Sequence, residues 1–203
     1  MNTDRPEHHW SRLAAAWPGH LPRRTIRLEH TAAGTYDYME RRLAECWGEA
    51  VYAVLSPSAG GSGRQVIVTR VRDYPTGVYR VPSGGIDHGE RPEEAARREA
   101  TEELGLVARV AAFIGLIDFH HIFAGRELVF PSFAFLLTSS GGDFAQRTHD
   151  EIADFHPADA GELWQYVDRL RSIGGTMQAW GAFRSASTAL VADFLEKSSS
   201  GVG

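Results

Sequence analysis

The stretch GGIDHGERPEEAARREATEELGL, from Gly84 to Leu106, places a glycine-rich turn ahead of a short helix that carries Glu99, Glu102 and Glu103. At about 100° per residue, these three glutamates share one arc of roughly a hundred degrees. Ala95, Ala96 and Ala100 fall within or beside that arc, whereas Glu94, Arg97, Arg98 and Thr101 point the other way. Like charges at i,i+3 and i,i+4 repel, and here the acidic stripe adjoins the small-residue face that a surface helix turns inward. A hard divalent cation would resolve the conflict, because Mg²⁺ takes carboxylate oxygens together with water and phosphate. From the helix alone, an ordinary Glu-rich amphipathic helix with weak pairs such as Arg98–Glu102 is the alternative.

The flanks of the helix favour the first reading. Gly84, Gly85 and Gly89 allow close approach of a phosphate or metal to the backbone. Pro92 suits the first helical position, Glu93 and Glu94 complement the helix N-terminus, and Gly105 is placed to stop the helix. Arg91 is off pattern at the N-cap, where Ser, Thr, Asp or Asn is preferred.

Read as Gly84, five residues, Glu90, seven residues, Arg98-Glu99-Ala100, one residue, Glu102-Glu103, one residue, Gly105-Leu106, the stretch resembles a complete Nudix box. The resemblance implies an α/β fold, a Nudix-like α/β/α sandwich with a mixed sheet, carrying an N-terminal extension and C-terminal helices. The expected division is an extension over 1–47 used for docking or dimer contact, a hydrolase domain over 48–175, a helix over 176–197 packed on it, and a disordered tail over 198–203.

The resemblance also implies chemistry: hydrolysis of a pyrophosphate bond, an acid anhydride, with Mg²⁺ or Mn²⁺ as cofactor. Glu99, Glu102 and Glu103 become the metal ligands, with Glu90 joining through water. Arg98 orients a glutamate through a charge-assisted hydrogen bond, and the backbone at Gly84 and Gly85 shapes the site. For the general base, either a helix glutamate serves or a carboxylate on a late loop; Glu151 is the candidate on such a loop. His120 and Arg70 are the candidates for contact with substrate. Tyr74, Tyr79, Phe119, Phe123 and Phe130 could stack a base. The expected substrate is a nucleoside diphosphate linked to another moiety: ADP-ribose-like, a dinucleotide or a nucleoside triphosphate. The alternative is a nucleotide-sensing module without catalysis.

Composition narrows the partners. The 203 residues are 43% hydrophobic with five tryptophans, enough for a sizeable core, and the net charge of −5 excludes a general nucleic-acid surface. The single cysteine, Cys46, excludes an internal disulfide framework. No apolar run reaches transmembrane length, and the first residues lack the apolar core of a signal peptide, so a cytoplasmic location is expected. A homodimer contacting through 1–47 and 175–196 is a third expectation.

Along the chain, Trp10 to Trp17 reads as a helix, Thr25 to Glu29 as a strand, and Tyr36 to Cys46 as a helix or a strand. His8 and His9 read as a flexible pair. Val51 to Leu55, Val66 to Val71 and Val78 to Val81 read as strands. Val107 to Ile117 and Leu128 to Thr138 read as a hairpin with a long tip, and Ile152 with Phe155 as a last short strand. Leu163 to Ile173 and Ala179 to Glu196 have helical spacing.

Overall fold

The computed structural model of the chain describes residues 5–19, 21–56, 64–72, 74–141 and 152–200. In chain order the elements are α1 (Pro6–Ala16), β1 (Arg23–Glu29), α2 (Ala33–Glu45), β2 (Cys46–Val54), β3 (Val66–Val71), β4 (Ser83–Asp87), α3 (Pro92–Leu104), β5 (Val107–Phe123), β6 (Arg126–Gly141), β7 (Ile152–Ala158), α4 (Ala160–Arg171) and α5 (Gln178–Ser200). Five strands form a sheet in the order β1-β5-β6-β2-β4, and β3 pairs with β7 in a second sheet. The larger sheet is mixed: β1 runs parallel to β5 and β2 parallel to β6, while the β5–β6 and β2–β4 pairs are antiparallel.

Alternation along the strands builds two cores, one on each face. In β2, Ala50, Tyr52 and Val54 turn to the side covered by Leu13 of α1 and by Ala95, Ala96, Ala100 and Leu104 of α3. Val51 and Ala53 turn to the other side, where Met39 of α2, Leu163 of α4 and Phe183, Leu190 and Leu195 of α5 lie. In β6, Phe133, Phe135 and Leu137 face one core and Phe130, Ala134 and Leu136 the other. A strand covered on both faces loses the polar half of its pattern, which is why all nine residues of β2 are buried. The α/β/α sandwich follows from this two-sided burial. Among the described residues, no helix is long and apolar enough to cross a membrane.

Several expectations are corrected here. Tyr36–Cys46 resolves into helix up to Glu45 followed by the first residue of β2. Val78–Val81 is not a strand: only Arg80 bridges, to Thr69, and the paired strand begins at Ser83, just after Pro82, which has no N–H to give a ladder. Gly84 and Gly85 therefore lie in β4, not in a turn. The hairpin tip is short, since β5 and β6 pair up to Phe123 and Arg126 around Ala124-Gly125. The polar run after Asp118 continues the strand because Phe119 and His121 bury inward while His120 stays partly open. His9 is not a flexible residue: it is buried, with its ring stacked on Trp47 at 4.9 Å. The tail expected from Ser198 is helical through Ser200, where Ser198 Oγ donates to the Phe194 carbonyl. β1, from the stretch ahead of residue 48, is an edge strand of the main sheet.

Candidate active site

The acidic helix is fixed at both ends and along one face. At its start, Glu94 supplies what Arg91 cannot: its carboxylate accepts the Arg91 N–H at 3.2 Å, the returning half of a capping box. At its end, Gly105 adopts φ +69, the left-handed turn that glycine takes at little cost. Between them, four buried small or apolar residues, Ala95, Ala96, Ala100 and Leu104, hold the helix against the sheet. Alanines permit close approach, and this brings the glutamates down to the backbone of β4. A Cβ on Gly84 would lie 1.9 Å from Glu99 Cδ. No other residue fits there.

Glu99 is consequently mostly enclosed, with its side chain 13% exposed. Burial, joined by repulsion from Glu103, pushes its carboxyl up to about 7. Glu103 accepts a short hydrogen bond from the hydroxyl of Tyr52, which rises from the buried face of β2. Burial and the neighbouring Glu103 carboxylate hold that phenol well above its ordinary range, so it stays a donor. Arg98 makes the charge-assisted bonds to the glutamates expected of it, although helical spacing set its position apart from their arc. Its long side chain turns back, donating to Glu90 at 3.0 and 2.9 Å, Glu99 at 2.9 Å, Glu102 at 3.0 Å and the Gly85 carbonyl at 2.8 Å. One guanidinium thus spans three carboxylates and ties α3 to β4, a use of its planar fork that lysine could not copy.

Glu99, Glu102, Glu103, Gly84 and Gly85 line a cavity of about 270 Å³. Arg98 and Glu90 stand beside it through the bonds just given. Arg70 and His120 do not line it. Arg70 is on β3 in the smaller sheet, and His120 sits 2.6 Å from Glu127 near the hairpin turn. Of the five aromatic candidates, Phe130 alone reaches the cavity; Phe119 belongs to the core. Glu151 lies outside the described residues.

Other lining residues escape a motif-based reading. Glu49 of β2 is 3% exposed, receives Ser132 Oγ at 2.7 Å and pairs with Arg184 of α5 at 2.8 Å. Arg184 also donates to Ser83 Oγ at 2.8 Å and lies 4.3 Å from the Trp180 ring centroid. Arg80 donates to the same Ser83 oxygen at 3.1 Å. Tyr38, Met39 and Arg42 of α2 complete this wall. A glutamate within the apolar run CWGEAVYAV and an arginine within the apolar stripe of the last helix are the signals that could have found the pair.

A family model described as NUDIX domain matches residues 48–174, more than half of the chain. An RNA pyrophosphohydrolase of Rhodospirillum rubrum is 32% identical over 122 residues, 54% of this chain and 68% of that protein. One of Erythrobacter litoralis is 32% identical over 88 residues, 43% of this chain and 49% of that protein. A putative 8-oxo-dGTP diphosphatase of Bacillus subtilis is 37% identical over 68 residues, 30% of this chain and 44% of that protein. The chain thus spans about half the length of the Erythrobacter relative. Among solved structures, a C. elegans Ap4A hydrolase aligns at 16% identity with a TM-score of 0.48, covering 74% of this chain and 98% of the other.

Proposed function

The chain belongs to the NUDIX family, and on that premise we propose that it hydrolyses a pyrophosphate bond in a nucleoside diphosphate linked to a further group, with Mg²⁺ or Mn²⁺ as cofactor. The observation that carries this reading is the crowding of Glu99 and Glu103 in one cavity beside Gly84, where the Glu99 side chain occupies the space that a Cβ would take. Among the described residues, no three His, Cys, Asp or Glu side chains already stand together as a metal site. The donor set nevertheless suits a hard cation: it is made of carboxylate oxygens, and their repulsion at Glu99 is relieved by a positive ion. Glu99, Glu102 and Glu103 would hold the ion, with Glu90 alongside. When bound, it supplies Lewis-acid stabilisation of phosphate oxygens.

The protein's own groups prepare that site. Tyr52 donates to one oxygen of Glu103, which lines the cavity. Arg98 holds Glu90, Glu99 and Glu102 in fixed orientations, so little reorganisation accompanies binding. Glu151 serves as general base, a role carried by the sequence alone. RNA and an oxidised deoxynucleoside triphosphate stand in the names of the similar proteins, and both fit a substrate with a polyphosphate chain. The test is a panel of nucleoside triphosphates, 5′-triphosphorylated RNA, ADP-ribose and dinucleoside polyphosphates, assayed with each metal and with product identification. Turnover of no member by the folded protein would overturn the reading.

A further inference from the structure

The cavity has a basic side that the glutamates do not explain. Arg80 and Arg184 are 9% and 8% exposed, and their guanidinium groups meet at one hydroxyl, Ser83 Oγ. That oxygen accepts both bonds with its two lone pairs. Glu49 is the carboxylate paired with Arg184, while the other bond of the Arg80 side chain among the described residues goes to the neutral Val81 carbonyl. Among the described residues, the Nε of each arginine lacks a partner. Among the described residues Arg184 has a carboxylate partner and Arg80 has none, and a buried charge is tolerated when a counter-charge meets it. Arg42 adds a third guanidinium to the same cavity.

The aromatic lining offers little to a base. Among the described residues it consists of Tyr38, Phe130 and Phe183. Phe130 and Phe183 are 2% and 0% exposed and pack edge to face on each other. Only Tyr38, 39% exposed, stands open, and its ring already meets Trp180. The cavity volume also falls below the common range for whole-ligand pockets, about 300 to 1,000 Å³. A charged cavity of this size suits phosphates with their cations, with the nucleoside outside.

We propose that Arg80 and Arg184, the second from a helix beyond the matched NUDIX segment, form a phosphate subsite that binds the substrate's polyphosphate chain and leaves its base unread. This rests on the hydrolase reading above and adds what the enzyme selects: phosphates rather than bases. The probe is inorganic tripolyphosphate at fixed Mg²⁺, titrated calorimetrically into the full chain. Wild type should bind it, and Arg80→Gln should weaken binding about 10- to 100-fold, the range for a lost charged hydrogen bond. Arg184→Lys keeps the charge opposite Glu49 but loses the fork, and should weaken binding as well; it serves as the second variant if Arg80→Gln does not fold.

Across ATP, GTP, CTP and UTP, kcat/KM should vary less than about 10-fold, where a site that hydrogen-bonds its base discriminates by far more. Failure of wild type to bind tripolyphosphate, unchanged binding in both folded variants, or a spread among bases above about 100-fold would each overturn the subsite. The two readings fail separately. Turnover of the panel without tripolyphosphate binding removes the subsite and keeps the hydrolase. Arg80-dependent binding without turnover keeps the subsite and removes the hydrolase.

Discussion

Replacing Glu99 by glutamine should abolish activity and, in the presence of a chelator, make the protein more stable above neutral pH. The carboxyl is buried beneath Gly84 and near Glu103, and its pKa rises from 4.5 to about 7. Between those values the folded chain retains a proton that the unfolded chain has released. The contribution to stability is therefore complete below 4.5 and lost as pH climbs through 7. At 1.36 kcal/mol per unit, the ionised group costs the fold about 3 kcal/mol at alkaline pH. Glutamine keeps the shape and an acceptor for Arg98 while removing the charge. Denaturant unfolding with chelator should show the variant close to wild type near pH 4.5 and about 3 kcal/mol more stable at pH 8.5. Addition of Mg²⁺ should close the gap by stabilising wild type alone. A variant less stable than wild type at pH 8.5, or a gap that ignores pH, would refute the reasoning.

Glu103→Gln should lower turnover by about two orders of magnitude or more while leaving the unfolding transition in place, measured by steady-state kinetics and calorimetry. Gly84→Ala should displace Glu99 from beneath the strand, since the new Cβ cannot share that space; activity should fall as in Glu99→Gln, with a stability loss of about 1–3 kcal/mol. Gly105→Ala places a side chain at φ +69 and should cost about 1–2 kcal/mol in thermal unfolding without altering catalysis. The buried pair His30–His121, 2.9 Å apart, makes the fold acid-sensitive. Burial holds His121 down to about 3, so its contribution is complete above 6.5 and lost as pH falls towards 3. His121→Asn should flatten the acid limb of the stability profile by up to about 1.4 kcal/mol per pH unit.

The acidic helix, its caps and its apolar face were legible because each rests on local spacing. Glu99, Ala100 and Glu103 can be placed on one arc from the sequence alone, and a complete box leaves few other readings. The strands of the sheet were legible where alternation or a β-branched run marked them. Three things were not. The reach of Arg98 back across its own helix depends on side-chain length and on where Glu90 lands, not on the direction of its Cα–Cβ bond. The fold of Tyr36–Glu45 depended on which face Tyr36 and Met39 could bury. The basic side of the cavity is assembled from β2, the segment before β4, α2 and α5, so no window of sequence contains it. Glu49 and Arg184 are separated by 135 positions, and each is an irregularity in an apolar pattern that the fold alone pairs.

That pairing has a consequence for the order in which the protein can be finished during synthesis. Glu49 lies in a strand that is translated early, yet the cation that neutralises it arrives 135 residues later on the last helix. Without that helix, Ser132 Oγ is the described side chain left to donate to the Glu49 carboxylate, and burying a carboxylate without its cation is costly. Burial of Glu49 in the sheet and completion of the basic wall both depend on the helix that carries Arg184. A chain that ends before Arg184 should therefore bury Glu49 poorly and lack one side of the cavity's basic wall.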